Sequence, residues 1–237
     1  MIKRILSPVC RRGKSGFITV LLVFTALSVF PGSARPESVP AVIDTVRFIE
    51  DSCLNYATAF TLKVSPAVWE RVVDSPYLFG KLWERYGFEP PYRLVRWGSV
   101  IHLIDPTGLE GDLFTVSADD STRVFCGDGR MKNWGIPFGV RGRALFVLTY
   151  TAGEESVDAR LRIFGEGTGT FTDIIIKMCS PILKYYINRR ITGNLRDANV
   201  ILADIALRPA EIRSMLDDGL RREFDDMLAG LDSTGRK

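Results

Sequence analysis

The chain has 237 residues, 46% of them hydrophobic and 25% charged, the make-up of a globular protein with a sizeable core. Its formal charge of +3 rests on 31 Lys+Arg against 28 Asp+Glu, too small an excess to argue for nucleic acid. A single histidine and four widely spaced cysteines exclude a His-rich metal site and a dense disulfide framework.

Lys3, Arg4, Arg11, Arg12 and Lys14 form a basic start with no acidic residue among them. Gly16 to Phe30 is an uncharged, mostly apolar run, and Pro31-Gly32-Ser33-Ala34 follows with small residues. These are the three parts of a secretory signal, with cleavage placed after Ala34. The alternative is a retained anchor through residues 16–30. That run falls short of the roughly 20 apolar residues of a spanning helix, and it ends in Pro-Gly. Cys10 precedes the apolar run, so no lipoprotein cysteine follows it. Gly13-Lys14-Ser15 continues Arg11-Arg12 poorly as a twin-arginine signal, which favours the Sec route. Cleavage leaves 203 residues with 26 Lys+Arg against 28 Asp+Glu. The expected product is a near-neutral extracytoplasmic protein, periplasmic or secreted. It keeps Cys53, Cys126 and Cys179, of which an oxidising compartment allows one pair.

Arg35 to Pro40 is polar and Pro-rich, a short linker. Val42, Ile43, Val46, Ile49 and Leu54 recur with helical spacing over Ala41 to Leu54. Ala57 to Val64 then alternates, with Phe60, Leu62 and Val64 on one face, as a half-buried strand does. Ser65-Pro66 starts a helix that runs to Val73, an N-cap followed by proline in the first turn. Asp74-Ser75-Pro76 starts a second one that stops near Gly87, and Pro90-Pro91 closes the segment.

Strands are predicted over Tyr92–Ile104, Leu109–Val116, Ser121–Asn133, Ala144–Thr151 and Val157–Phe164. The turn Asp105-Pro106-Thr107-Gly108 joins the first two. In the last, Val157, Ala159, Leu161 and Ile163 alternate with polar residues, as in an antiparallel sheet with one wet face. Gly165-x-Gly167-x-Gly169 leads into a long helical region from Ile175 to Ile205, with a kink expected at Pro181. Pro209 restarts a charge-rich amphipathic helix through Leu228.

This order of elements resembles the helix-grip fold of the START, polyketide-cyclase and pollen-allergen superfamily (SRPBCC). The junction Lys63-Val64-Ser65-Pro66-Ala67-Val68-Trp69 and the glycine-rich lead into the long helix support the likeness, which covers Ala57 to Ala206. It implies an α+β fold, a START-like antiparallel sheet wrapped around a long C-terminal helix, with extra N- and C-terminal helices. The division is then signal 1–34, linker and N-terminal helix 35–56, ligand-binding domain 57–206, and C-terminal helix and tail 207–237. The resemblance implies a binder or carrier of an apolar small molecule, lipid-like or aromatic. Transient membrane contact suits such a carrier.

No catalytic set assembles in the sequence. The glycine run fails GxGxxG and lacks a following strand for a βαβ unit, so it reads as a hinge. There is no GxSxG elbow for the single His102 to serve. His102 alternates with Ile101 and Leu103, which makes it solvated or core-satisfied more readily than a ligand contact. No cofactor, metal ligand set or catalytic residue is assigned. The candidate cavity-lining residues are His102, Tyr150, Tyr186, Arg189 and Asn194. In a helix-grip fold the two tyrosines offer hydroxyls to an apolar ligand. Arg189-Arg190 and Asn194 lie one and two turns beyond Tyr186; a buried arginine there suits an anionic head group or a cap on the cavity mouth. Two other functions remain open. One is an interaction protein that docks through Leu216, Leu220, Met227 and Leu228 of the last helix. The other is a cyclase- or hydrolase-like enzyme that brings His102 together with Tyr150, Tyr186 or Asp173.

Overall fold

The computed structural model describes residues 43–89, 91–106, 108–132 and 139–234. The export signal, the cleavage site near Ala34 and the linker lie outside them. Asp44 starts the first element, α1 (Thr45–Asp51), its carboxylate accepting from the Val46 and Arg47 amides at 3.1 Å each, as an N-cap should. The predicted helix to Leu54 is shorter than expected, because β1 already begins at Leu54 and runs to Leu62. Ser65 caps α2 (Pro66–Val73) through the Val68 amide. α3 (Pro76–Tyr86) ends at Gly87, whose φ of +65° is the left-handed conformation that terminates helices.

The predicted strand Tyr92–Ile104 is two strands. Gly98, with φ of +60°, turns the chain between β2 (Arg93–Trp97) and β3 (Val100–Asp105), which pair antiparallel. β4 (Leu109–Ala118), β5 (Thr122–Met131), β6 (Val140–Ala152) and β7 (Val157–Gly167) follow. Each pairs antiparallel with the one before, and β1 returns to pair with β7. The sheet order is therefore β1-β7-β6-β5-β4-β3-β2. Part of the glycine hinge belongs to β7, which continues to Gly167 because Gly165 and Gly167 still pair with Leu54, Ala144 and Gly142.

α4 (Thr170–Leu207) then crosses the inner face of the sheet, running unbroken through Pro181. Asn188 of α4 accepts from Tyr56 of β1 at 2.8 Å, and Arg190 reaches Asp105 of β3 at 2.6 Å. Those strands lie five positions apart, about 24 Å across a flat sheet, against a helix about 10 Å wide. The sheet curls around the helix to bring both within reach of a side chain. This is an α+β helix-grip architecture, with α1 added before it and two helices after it.

The predicted last helix is divided. α5 (Pro209–Met215) stops at Leu216, and Asp217 caps α6 (Asp218–Thr234) by accepting from the Leu220 amide at 3.1 Å. Leu216, Leu220, Phe224 and Met227 are buried in the main core together with Trp69, Leu82 and Trp83 of α2 and α3. α1 covers the opposite face of the sheet, where Phe48 packs on Cys126, Leu145 and Phe164. The strands β5, β6 and β7 are thus buried on both sides.

Candidate functional site

The inner face of α4 is apolar except for one row of buried polar residues, Arg190, Asn194 and Asp197. Their steps of four and three residues put them on the same side of the helix. Ile187, Ile191, Ala198 and Ile201 surround them. Arg190 donates from Nη1 to Asp105 Oδ2, and Asp105 is on the inner face because Ile101, Leu103 and Asp105 alternate inward along β3. Tyr92, buried just before β2, feels both charges. Burial pushes its phenol well above the usual tyrosine range, with Arg190 opposing and Asp105 adding to the effect.

Asn194 is 0% exposed, and neither its Oδ1 nor its Nδ2 has a hydrogen-bond partner. The Tyr92 hydroxyl is likewise buried without a partner. A buried polar group left unpaired costs about 1–3 kcal/mol. The amide lies one turn along the helix from Arg190, and the phenol is close enough to the Arg190–Asp105 pair to feel both charges.

The five residues singled out in the sequence divide among several locations. Asn194 lies on the inner face of the long helix. Tyr150 is buried as well, with its hydroxyl unpartnered and its ring edge-on to Trp69 at 5.9 Å. It sits near the opposite end of the sheet, paired with Ala159 and lying under the Arg123 guanidinium at 5.7 Å. Burial raises its pKa, against the pull of Arg123. Tyr186 is half-buried at the edge of the core, edge-on to Tyr185 at 5.6 Å.

Two of the five do not line the interior. Arg189 is exposed, and the buried arginine of the pair is its neighbour Arg190. His102 lies on the outer face of the sheet, where it shares a 2.7 Å hydrogen bond with Asp112 and stacks on Trp97 at 5.1 Å. The alternation that turns Ile101 and Leu103 inward turns His102 outward.

Asp105 and Tyr92 were not among the sequence candidates, and of the pair Arg189-Arg190 only Arg189 was chosen, yet signals for Arg190 and Asp105 were present. Arg190 falls three residues after Ile187 and one before Ile191, within the buried arc of the helix. Asp105 continues the inward alternation of Ile101 and Leu103, but its place before Pro106 reads first as a turn.

The unpartnered Asn194 amide and Tyr92 hydroxyl offer hydrogen bonding. The guanidinium is paired with a carboxylate, the amide does not titrate, and the two phenols, protonated at neutral pH in any case, are pushed further from ionising by burial. The thiols Cys53, Cys126 and Cys179 are unpaired. Burial pushes Cys53 up to about 11 and Cys126 up to about 12, so neither is a thiolate nucleophile at neutral pH. Among the described residues no group of three or more His, Cys, Asp and Glu side chains could hold a metal ion.

Fold and site together define an α+β protein that grips a long helix and encloses a small polar cluster in an apolar interior. No family model matches the sequence, and no curated protein is significantly similar to it. Among solved structures, the chain is similar to a conserved protein from Geobacillus kaustophilus. The identity is 15%, with 64% of this chain and 97% of that chain covered and a TM-score of 0.42. It is also similar to truncated norcoclaurine synthase from Thalictrum flavum, at 13% identity over 65% and 93% of the two chains with a TM-score of 0.40. For Ara h 8.0201 the values are 14%, 56% and 97%, with a TM-score of 0.35. These likenesses are partial, and the fold assignment rests on the strand order and helix position described above.

Proposed function

We propose that the chain is exported, loses its signal near Ala34, and binds or carries an apolar small molecule with a polar end in the extracytoplasmic space. Asn194 carries the reading: a fully buried amide with both polar atoms unpaired fits a ligand that supplies a donor and an acceptor. The apolar side chains around it suit the body of a lipid-like or aromatic molecule. Export is supported by the basic start, apolar run and small residues of the first 34 positions.

The two other readings have less behind them. An enzyme on this scaffold loses its only histidine, because His102 faces outward and pairs with Asp112. A docking role for the last helix loses its free surface, because Leu216, Leu220 and Met227 are buried against the domain and Leu228 is half-buried.

The test is native mass spectrometry of protein purified from its own host, followed by organic extraction. A bound species that releases on extraction is the expected result. Protein that is ligand-free from its host and takes up no lipid or aromatic probe would count against binding. N-terminal sequencing of the extracytoplasmic fraction checks export separately, with a start close to Arg35 expected.

A further inference from the structure

α4 has two apolar faces. The inner one packs on the sheet. Opposite it, Phe171, Ile174, Met178, Ile182 and Tyr185 recur at steps of three and four residues and all reach solvent. Phe171 is 73% exposed, Met178 76% and Tyr185 60%. A helix on a protein surface ordinarily turns polar residues outward, and a contiguous exposed apolar stripe marks a contact site. The stripe extends about 21 Å along the helix.

Its charged neighbours along the helix are basic apart from Asp173, which is half-buried and accepts from the Gly167 amide. Lys177 and Lys184, seven residues apart, flank one side of the stripe, and the exposed Arg189 closes its C-terminal end. From Ile174 to Arg196 the sequence has no Asp or Glu. An apolar face with an aromatic residue at each end and basic residues beside it has the make-up of a helix that lies in a membrane interface. A second copy of the chain is a poor occupant. Two stripes packed face to face would bring the same basic residues together, with only the half-buried Asp173, already bonded to the Gly167 amide, to meet them. Among the described residues no helix, α4 included, is long and apolar enough to cross a membrane.

We propose that the outward stripe of α4 docks the protein on an anionic phospholipid surface. The apolar side chains enter the headgroup boundary, and Lys177, Lys184 and Arg189 meet the phosphates. This docking stands apart from the ligand reading, since it needs only the stripe and its charges.

The experiment is flotation of the purified protein with phosphatidylethanolamine vesicles, prepared with and without phosphatidylglycerol. Binding is expected to require phosphatidylglycerol and to weaken with salt. Met178→Glu should lower partitioning about tenfold or more, since it removes an apolar side chain from the headgroup boundary and adds a negative charge. Lys177→Gln and Lys184→Gln should each lower it about fivefold. Phe171→Ser repeats the test at a second exposed site, and circular dichroism and Tm check that each variant stays folded. Absence of binding to the anionic vesicles overturns the proposal. So does equal binding of Met178→Glu, which assigns attachment to another part of the chain such as residues 16–30. Loss of a dimer in sedimentation with vesicle binding unchanged would assign the stripe to self-association instead.

Discussion

Arg190 on the long helix and Asp105 at the end of β3 meet at 2.6 Å, 85 residues apart in sequence, with both side chains buried. The pair ties α4 to the far side of the curled sheet. A buried ion pair adds little net stability over well-packed apolar residues, but removing one partner strands the other charge and costs about 3–5 kcal/mol. Asp105→Ala should therefore lower the urea midpoint strongly. The double replacement Asp105→Leu with Arg190→Met should recover most of the loss. If the single and double variants are equally unstable, the pair is not what connects helix and strand.

Asn194 gives the opposite sign. Its amide has no partner in the protein, so Asn194→Leu, close in volume, removes two unsatisfied polar atoms and should stabilise ligand-free protein by about 1–2 kcal/mol. The same change should weaken retention of the ligand. Thermal denaturation of extracted protein, paired with ligand quantitation before extraction, reads both effects. A destabilised Asn194→Leu would mean that ordered water already satisfies the amide.

The architecture was largely legible because local signals are strong where the chain changes direction. Ser65-Pro66 and Ser75-Pro76 begin α2 and α3 as read, and the alternation of Val157 to Ile163 gives the buried face of β7. The β2–β3 turn was not read, because Trp97-Gly98-Ser99-Val100 is a single glycine within a β-rich run and carries no proline or Asn-Gly signal. The division of α5 from α6 was hidden for a similar reason. Asp217-Asp218 looks like one solvated charge pair, and only the Asp217 cap reveals a new helix start. The site was less legible than the fold. Periodicity separates inner from outer residues on one element. It does not say that Arg190 of α4 meets Asp105 of β3, five positions from β1 in the sheet, since that depends on how the sheet curls.

At the end of α4, Asp204 receives hydrogen bonds from Tyr86 at 2.7 Å and from Arg208. Burial works to raise the Asp204 pKa, but the hydrogen bonds from Arg208 and Tyr86 outweigh it and hold the carboxyl below its usual range. A depressed folded pKa stabilises the protein above the unfolded value of about 3.9, and that stability is lost as pH falls through the folded value. Tyr86 behaves oppositely. Burial and Asp204 raise its pKa, so its contribution is full below about 10 and is lost as pH rises through the folded value. Asp204→Asn should flatten the acid limb of the stability profile, and Tyr86→Phe should flatten the alkaline limb. Urea midpoints measured across pH check both, and an unchanged acid limb in Asp204→Asn would refute this account of the pair.

Gly167 determines how α4 leaves the sheet. It is the last residue of β7, pairs with Gly142, and its amide donates to Asp173 Oδ1 in the first turn of α4 at 2.6 Å. A Cβ at this position would lie 2.6 Å from Thr172 Cβ and 2.8 Å from the Asp173 backbone nitrogen. Rotating a side chain cannot relieve contact with a backbone atom, so Gly167→Ala must shift the start of the helix relative to the strand. Overpacking of this kind costs about 1–3 kcal/mol. Gly169 is the internal control. It precedes the helix in extended backbone, and nothing lies within 4 Å of where its Cβ would be. Gly169→Ala should therefore be close to neutral in Tm, while Gly167→Ala lowers it. The displaced helix start should also carry the Phe171 stripe with it, so flotation with anionic vesicles should weaken in Gly167→Ala and stay unchanged in Gly169→Ala. Equal Tm losses in the two variants would mean that general glycine flexibility, and not the contact with Thr172 and Asp173, sets the geometry of this junction.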